Sequence, residues 1–332
     1  MKLYKYTPHI DLFLESSSLK LTPIHQLNDP FENKMSIEFI TELKEKFSRI
    51  LPNQIDRFSE FLTNGQSYIG VLSLSVNRFN TTMLSHYAAN HSGGILEFTV
   101  SNINQGYNNK TDLLKNQNRI KGDFGKVIYL KKRSNPELAN ARNYIFTENH
   151  FEKHKSWSYE KEIRYTSNII HSDYITIPKE PTILKRLKEI YDENLISYQI
   201  KEKEFAAIIN QNGKIVKSHP KPFSSILDLT NDPDVQIIKE TSHDIQIKIA
   251  QQEIFFNPLA RLIKRGIEFH PMLEINPEKL TGIYLGSRFE TSGFTERHQK
   301  NFRNFPNLKS INQLEINPDN FDHYPKLIIK IN

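Results

Sequence analysis

Three features of the sequence predict a mixed α+β fold. Short alternating segments recur along it, amphipathic helical stretches lie between them, and residues 67–99 form a clear strand, helix, strand unit. LYKY (3–6) alternates as a first strand, and DLFLESSSLKL (11–21) reads as a short helix running into a second extended piece. In IHQLNDPFE (24–32), Asn28, Asp29 and Pro30 signal a turn, and Pro30 biases Asp29 toward extended backbone. Residues 36–63 carry apolar side chains at helical spacing, interrupted once at Pro52. SYIGVLSLS (67–75) is a buried-type strand with Ser73 and Ser75 on one face.

Asn80 or Thr81 then caps a helix, TMLSHYAANH, whose Met83, Leu84, Tyr87, Ala88 and His91 make one stripe. Gly93 and Gly94 end it before the strand ILEFTV. GKVIYL (125–130) reads as one strand, followed by the basic run KKR and a helix. Beyond residue 171 the texture changes. PTILKRLKEIYDENL is a Pro-started helix, FAAIINQNGKIVKS a hairpin about Asn212 and Gly213, and DIQIKIA (244–250) a strand. LTGIYLGSRF (280–289) is a strand, a basic-aromatic helix follows, and KLIIKI (326–331) is the last strand. The expected organisation is a core domain of residues 1–175 and 276–332 with an inserted subdomain at 176–275.

At 332 residues there is length for a sizeable core, and 37% hydrophobic with 25% charged residues is a globular composition. The formal charge of +6 is mild, compatible with nucleic acid or a nucleotide's phosphates without demanding either. There are no cysteines, so disulfides, thiolate nucleophiles and Cys-ligated zinc are excluded. MKLYKYTPHI lacks the uninterrupted apolar core of a signal peptide and no run approaches membrane length, so a cytoplasmic protein with no membrane partner is expected.

The segment KSWSYEKEIRY (155–165) holds the single tryptophan, Trp157, and sets Glu160, Glu162 and Arg164 at two-residue spacing. As a strand it would put both carboxylates and the guanidinium on one face, with Trp157, Tyr159, Ile163 and Tyr165 on the other. Such a ladder pairs with charges on neighbouring strands, or it divides catalytic work between two carboxylates. His86 and His91, five residues apart, lie about 140° apart on a helix, which does not suit a helical zinc pair. His91 falls on the apolar stripe, whereas His86 sits beside Asn90 on another face and is the better site candidate. NDPFE is an Asx-type turn, or Asn28, Asp29 and Glu32 belong to a site in which Asp29, Glu32, Glu160 and Glu162 hold a divalent metal in a nuclease. In FTERHQKNFRNFPNLK (294–309), Arg297, Lys300, Arg303 and Lys309 interleave with Phe294, Phe302 and Phe305. That pattern suits either a nucleic-acid-binding surface or a helix with a buried phenylalanine stripe and a solvated basic face.

The order LYKY, NDPFE, SLS with MLSHYAANHSGGILEF, KSWSYEKEIRY and IYLG resembles a widespread bacterial family, domain-of-unknown-function family twenty-nine seventy-one. The resemblance covers residues 1–170 and 280–290. Leu84 stands where that family commonly has tryptophan, and residues 171–275 fill its usual gap. The family in turn is similar in motif order to diverged ADP-ribosyltransferases. That likeness implies a split, mainly antiparallel sheet flanked by helices, with NAD as substrate and no metal. It implies Glu162 as the catalytic glutamate with Glu160 as its helper, and Ser73, Ser75, His86 and Tyr87 as the middle element. Tyr6 lies at or near the position where those enzymes carry Arg or His, a substitution within the pattern. Lys5 and Arg164 would meet the pyrophosphate, and Tyr87 or Trp157 would wall the nicotinamide. The acceptor would be a macromolecule, protein or nucleic acid, and the role that of a toxin or phage-defence effector.

Overall fold

The computed structural model describes residues 1–32, 34–50, 68–101, 111–116, 122–178, 235–240, 244–249, 268–320 and 322–331. Its strands are β1 (Lys2–Thr7), β2 (Ser18–Lys20), β3 (Thr22–Pro23), β4 (Ile69–Ser75), β5 (Gly94–Thr99), β6 (Gly122–Lys126), β7 (Ile128–Leu130), β8 (Glu152–His154) and β9 (Glu162–Asn168). They continue as β10 (Tyr174–Pro178), β11 (Val235–Glu240), β12 (Asp244–Ile249), β13 (His270–Glu274), β14 (Leu280–Leu285), β15 (Ser310–Asn317) and β16 (Asp322–Lys330). The main sheet has nine strands in the order β16-β15-β14-β5-β1-β4-β9-β6, with β3 beside β4. Its ladders are antiparallel except β14 with β15, so the class is α+β with a large, mostly antiparallel mixed sheet flanked by helices. A five-stranded sheet, β11-β12-β10-β13-β2, and a parallel β7–β8 pair complete the described strands. The helix and hairpin expected at 181–195 and 205–218 lie outside the described residues, as does the part of the 36–63 segment after Ile50.

Period-two alternation gives the main sheet two different faces. On one, Leu3, Leu72, Leu74, Phe98 and Ile163 pack with Phe13 and Leu14 of the helix Ile10–Ser16 and with Phe294 and Phe302 of the helix Phe294–Phe302. The phenylalanines of the basic-aromatic segment, Phe305 included, are therefore core side chains rather than a stacking surface. On the other face Tyr4, Tyr6, Ile95 and Tyr284 meet Met83, Leu84 and Ala88. The second face also carries Glu97, Glu162 and Arg164, because Tyr4 is in register with Ser75 and with Glu97, and Ser75 with Glu162.

Between the two halves of this sheet the hydrogen bonding is thin. β1 runs in register with β5 from Lys2 opposite Thr99 to Thr7 opposite Gly94, yet it meets β4 only at Tyr4 opposite Ser75. The chain splays there, and Lys5 Nζ crosses the seam to donate to Ser73 O at 3.0 Å.

Three elements depart from the sequence expectation. The helix capped by Asn80, whose side chain accepts from Met83 N at 2.9 Å, ends at Tyr87, because Ala89, Asn90 and His91 all take positive φ. His91 thus leaves the apolar stripe; its Nε2 lies 3.1 Å from Ser85 Oγ and its ring stacks on His323 at 5.3 Å. The 125–130 strand is two strands broken at Val127, β6 joining β9 and β7 joining β8. In 155–165, Lys155–Glu160 is a 3-10 helix, Lys161 is left-handed at φ 43°, and only Glu162 onward is strand.

The glycines of HSGG and IYLG are packing requirements. Gly286 N donates to Gly93 O at 2.7 Å, and a Cβ on Gly286 would stand 2.0 Å from His91 O. Backbone cannot yield as a flexible side chain can, so Gly286→Ala is expected to destabilise by about 3 kcal/mol, the upper end of overpacking costs. Chemical unfolding checks this, and an unchanged midpoint would refute it.

Candidate functional site

Around Glu160 and Glu162 the second face of the sheet turns from apolar to charged. Arg164 is flanked in register by Ser73 and Gly125, small neighbours that leave room for a guanidinium. Its Nε and Nη2 reach the two oxygens of Glu162 at 2.8 and 3.0 Å. Its Nη1 donates to Glu32 Oε2 at 3.0 Å and to His150 O at 2.7 Å, and its Nη2 also contacts Glu32 Oε1. All five guanidinium N–H groups are therefore engaged in a residue only 1% exposed.

The parallel β7–β8 ladder sets Tyr129 beside Lys153. Tyr129 Oη accepts from Glu162 N at 2.8 Å. Lys153 Nζ donates to Glu160 Oε2 at 2.6 Å and to Glu162 Oε2 at 3.3 Å, lies 3.8 Å from Glu32 Oε1, and sits 4.8 Å from the centre of the Trp157 ring. Tyr87 Oη closes the array by donating to Glu160 Oε1 at 2.5 Å. Ser75 Oγ donates to Glu160 O at 2.6 Å and accepts from Asn77 N, pinning the turn that carries Glu160.

The two carboxylates share Lys153 but differ in everything else, and their acidities separate. Burial raises Glu160, and Glu162 beside it adds to the rise against the pull of Lys153 and Tyr87. Burial would raise Glu162 as well, but Arg164 and then Lys153 overcome it and hold it at about 2, with Ser73 adding a hydrogen bond. Arg164 is the difference: it grips Glu162 and does not touch Glu160. Glu162 is thus held as the more acidic carboxyl and Glu160 as the less acidic one.

Lys5, beside this pair, is lowered to about 8 by burial, with Glu162 opposing the fall. Between pH 8 and 10.5 the unfolded chain binds more protons at this lysine than the folded one, so its contribution to stability rises with pH in that window. Lys5→Met is expected to flatten that part of the profile. Unfolding free energies at pH 8 and 10 measure it, and an unchanged slope would count against a desolvated Lys5.

The structure brings together Glu160, Glu162, Arg164, Tyr87, Trp157, Ser73, Ser75, Lys5 and Glu32. Trp157 faces the cluster through Lys153 instead of lying on an opposite strand face, as the 3-10 turn requires. Others stand apart. Tyr6 is core, its Oη donating to Asn77 O at 3.1 Å. His86 is exposed and touches Tyr159 Oη through Nδ1 at 3.3 Å. Asp29 forms the expected Asx turn, Oδ1 accepting from Phe31 N at 2.9 Å, and Asn28 precedes it without joining the cluster. Arg164, fully engaged, has no N–H left for a pyrophosphate, whereas Lys5 spends one of its three donors on Ser73 O. Among the described residues no group of three or more acidic or histidine side chains is arranged to hold a metal ion. Three members were missed in the sequence, Lys153, Tyr129 and His150. Glu152–His154 is too short to announce itself as a strand, and Tyr129 was read as part of an unbroken β6.

The fold and the cluster define an α+β protein built around a buried pair of unlike carboxylates. The family model described as "Protein of unknown function (DUF2971)" matches residues 83–165, which hold Tyr87, Tyr129, Lys153, Glu160, Glu162 and Arg164. That likeness spans residues 83–165, about a quarter of the chain, and is to a family of unknown function. No curated protein and no solved structure matches it significantly. No helix among the described residues is long and apolar enough to cross a membrane.

Proposed function

We propose that the protein cleaves the nicotinamide–ribose bond of NAD and transfers ADP-ribose to a macromolecule, or to water. The observation that carries this reading is the adjacent pair Glu160 and Glu162, one with raised and one with lowered acidity constant, at the splayed seam of the sheet. As the C–N bond breaks, its electron pair leaves with nicotinamide and positive charge grows on the ribose. An ionised Glu162 stabilises that charge. Glu160, held by Tyr87, accepts the proton of an attacking hydroxyl or amine of the acceptor, whereas attacking water loses its proton to solvent, and Lys5 faces a phosphate. In this reading Lys153 swings off Glu160 as substrate enters. A toxin or phage-defence role would follow from such an activity. The metal-dependent nuclease reading requires the same carboxylates to exchange Lys153 and Arg164 for a cation.

The test is nicotinamide release from NAD by the purified protein, alone and with RNA, DNA or cell extract, with and without EDTA. Release that survives chelation supports the proposal. No release under any condition overturns it, and EDTA-sensitive cleavage of nucleic acid would favour the nuclease.

A further inference from the structure

Two arginines tie the loop before Glu32 to the turn before Glu152. Arg133 donates from Nη1 to Glu152 O at 3.0 Å and from Nη2 to Phe31 O at 2.5 Å. Arg164 bridges Glu32 and His150 O. At this clasp polar atoms are left over. Asn149 and His150 are each 1% exposed, yet neither the amide oxygen and nitrogen of Asn149 nor either ring nitrogen of His150 has a hydrogen-bond partner among the described residues. Asp29, 3% exposed, leaves Oδ2 unpaired in the same loop. A buried polar atom that nothing answers is costly, and folded proteins seldom gather several in one place.

We propose that loop 28–32 and turn 148–151 enclose a binding subsite for a neutral, planar ligand edge carrying both a donor and an acceptor, namely a nucleobase or a carboxamide, read by Asn149 and His150 with Asp29. The chemistry selects that class. An Asn amide and a neutral imidazole offer donors and acceptors together, the complement of such an edge. Burial, then Arg164 and Arg133, push His150 down to about 4, so it serves as a neutral ring. The two arginines at the clasp are already committed, Arg164 through all five N–H groups and Arg133 to Phe31 O, Glu152 O and, at 3.6 Å, the Glu152 carboxylate, which disfavours a phosphate. Phe31, 64% exposed on the same loop, supplies an aromatic face suited to a flat ring.

The subsite is independent of the NAD reading, although both classes occur in that dinucleotide. Adenosine and nicotinamide are titrated separately into the full chain by calorimetry. Saturable binding of one is expected, and which one binds identifies the source. Asn149→Leu and His150→Phe are expected to weaken it at least tenfold while the melting temperature holds or rises. His150→Gln, which keeps a neutral donor and acceptor, retains binding. Should Asn149→Leu fail to fold, Asn149→Asp, which keeps the shape and loses the donor, carries the test. Glu160→Gln, deficient in transfer under the NAD reading, is expected to bind the probe unchanged, so loss of transfer and loss of the subsite are read separately. No saturable binding of either probe, or full binding by both apolar variants, overturns the proposal and leaves these atoms to structural water.

Discussion

Arg164→Met is expected to cost about 3–5 kcal/mol of stability at neutral pH, because it strands two buried carboxylates, Glu32 and Glu162, that share one guanidinium. Most of this is the penalty of an unpaired buried charge, so it is pH-dependent. In the natural protein Glu162 is depressed to about 2. Its contribution is present above the ordinary carboxylate range and is lost as pH falls toward 2. Without Arg164, only Lys153 and Ser73 oppose the burial that raises Glu162, so its pKa moves up and the variant is less penalised as pH drops. Urea unfolding at pH 8 and pH 4.5 should show the gap narrowing. The triple variant Arg164→Met, Glu162→Gln, Glu32→Gln should regain part of the loss at pH 8 by removing the stranded charges. A gap that stays constant with pH would mean that packing, not charge, is what Arg164 supplies.

Glu162→Gln is expected to lower nicotinamide release by about 10²–10³-fold, the range found when one electrostatic stabiliser of a transition state is removed. It keeps size but sets an NH2 against the donors of Arg164 and Lys153, so the unfolding midpoint of the variant is measured beside its turnover. Glu160→Gln should behave differently. With no carboxylate to take the acceptor's proton, transfer to a protein or nucleic acid falls while hydrolysis of NAD by water persists. Both rates are measured in one assay by following free nicotinamide and acceptor-bound ADP-ribose. Full turnover by Glu162→Gln would reduce the cluster to an internal charge clamp.

Much of the sheet was legible because its strands stand out as short alternating or apolar runs: LYKY, VLSLS, ILEFT and LTGIYL all lie in strands. Strand order was not, since β1 lies between β4 and β5 and β14 reaches β5 across an intervening chain of well over a hundred residues. The site was half legible. The E-x-E spacing flagged two carboxylates that the structure does bring together around Lys153, but for a geometric reason that does not hold. Glu32 was noticed as an oxygen donor for metal, whereas it meets a guanidinium. Lys153 was invisible because a single lysine in a three-residue strand carries no periodic signal, and only the β7–β8 ladder places it under the carboxylates. For His86, helical phase gives direction around an axis, not distance from the carboxylates, and its exposed ring meets Tyr159 instead.

Lys161 gives the two carboxylates different mechanical footing. Glu162 is built into a ladder hydrogen-bonded on both sides, whereas Glu160 ends a single 3-10 turn, on the far side of a residue in the left-handed region. An unbroken strand would have welded both into one lattice, so that displacing either meant deforming the sheet. With a pivot between them, Glu160 can be repositioned by a local change at one backbone position while Glu162 keeps its register. A fixed electrode and an adjustable one then stand two residues apart.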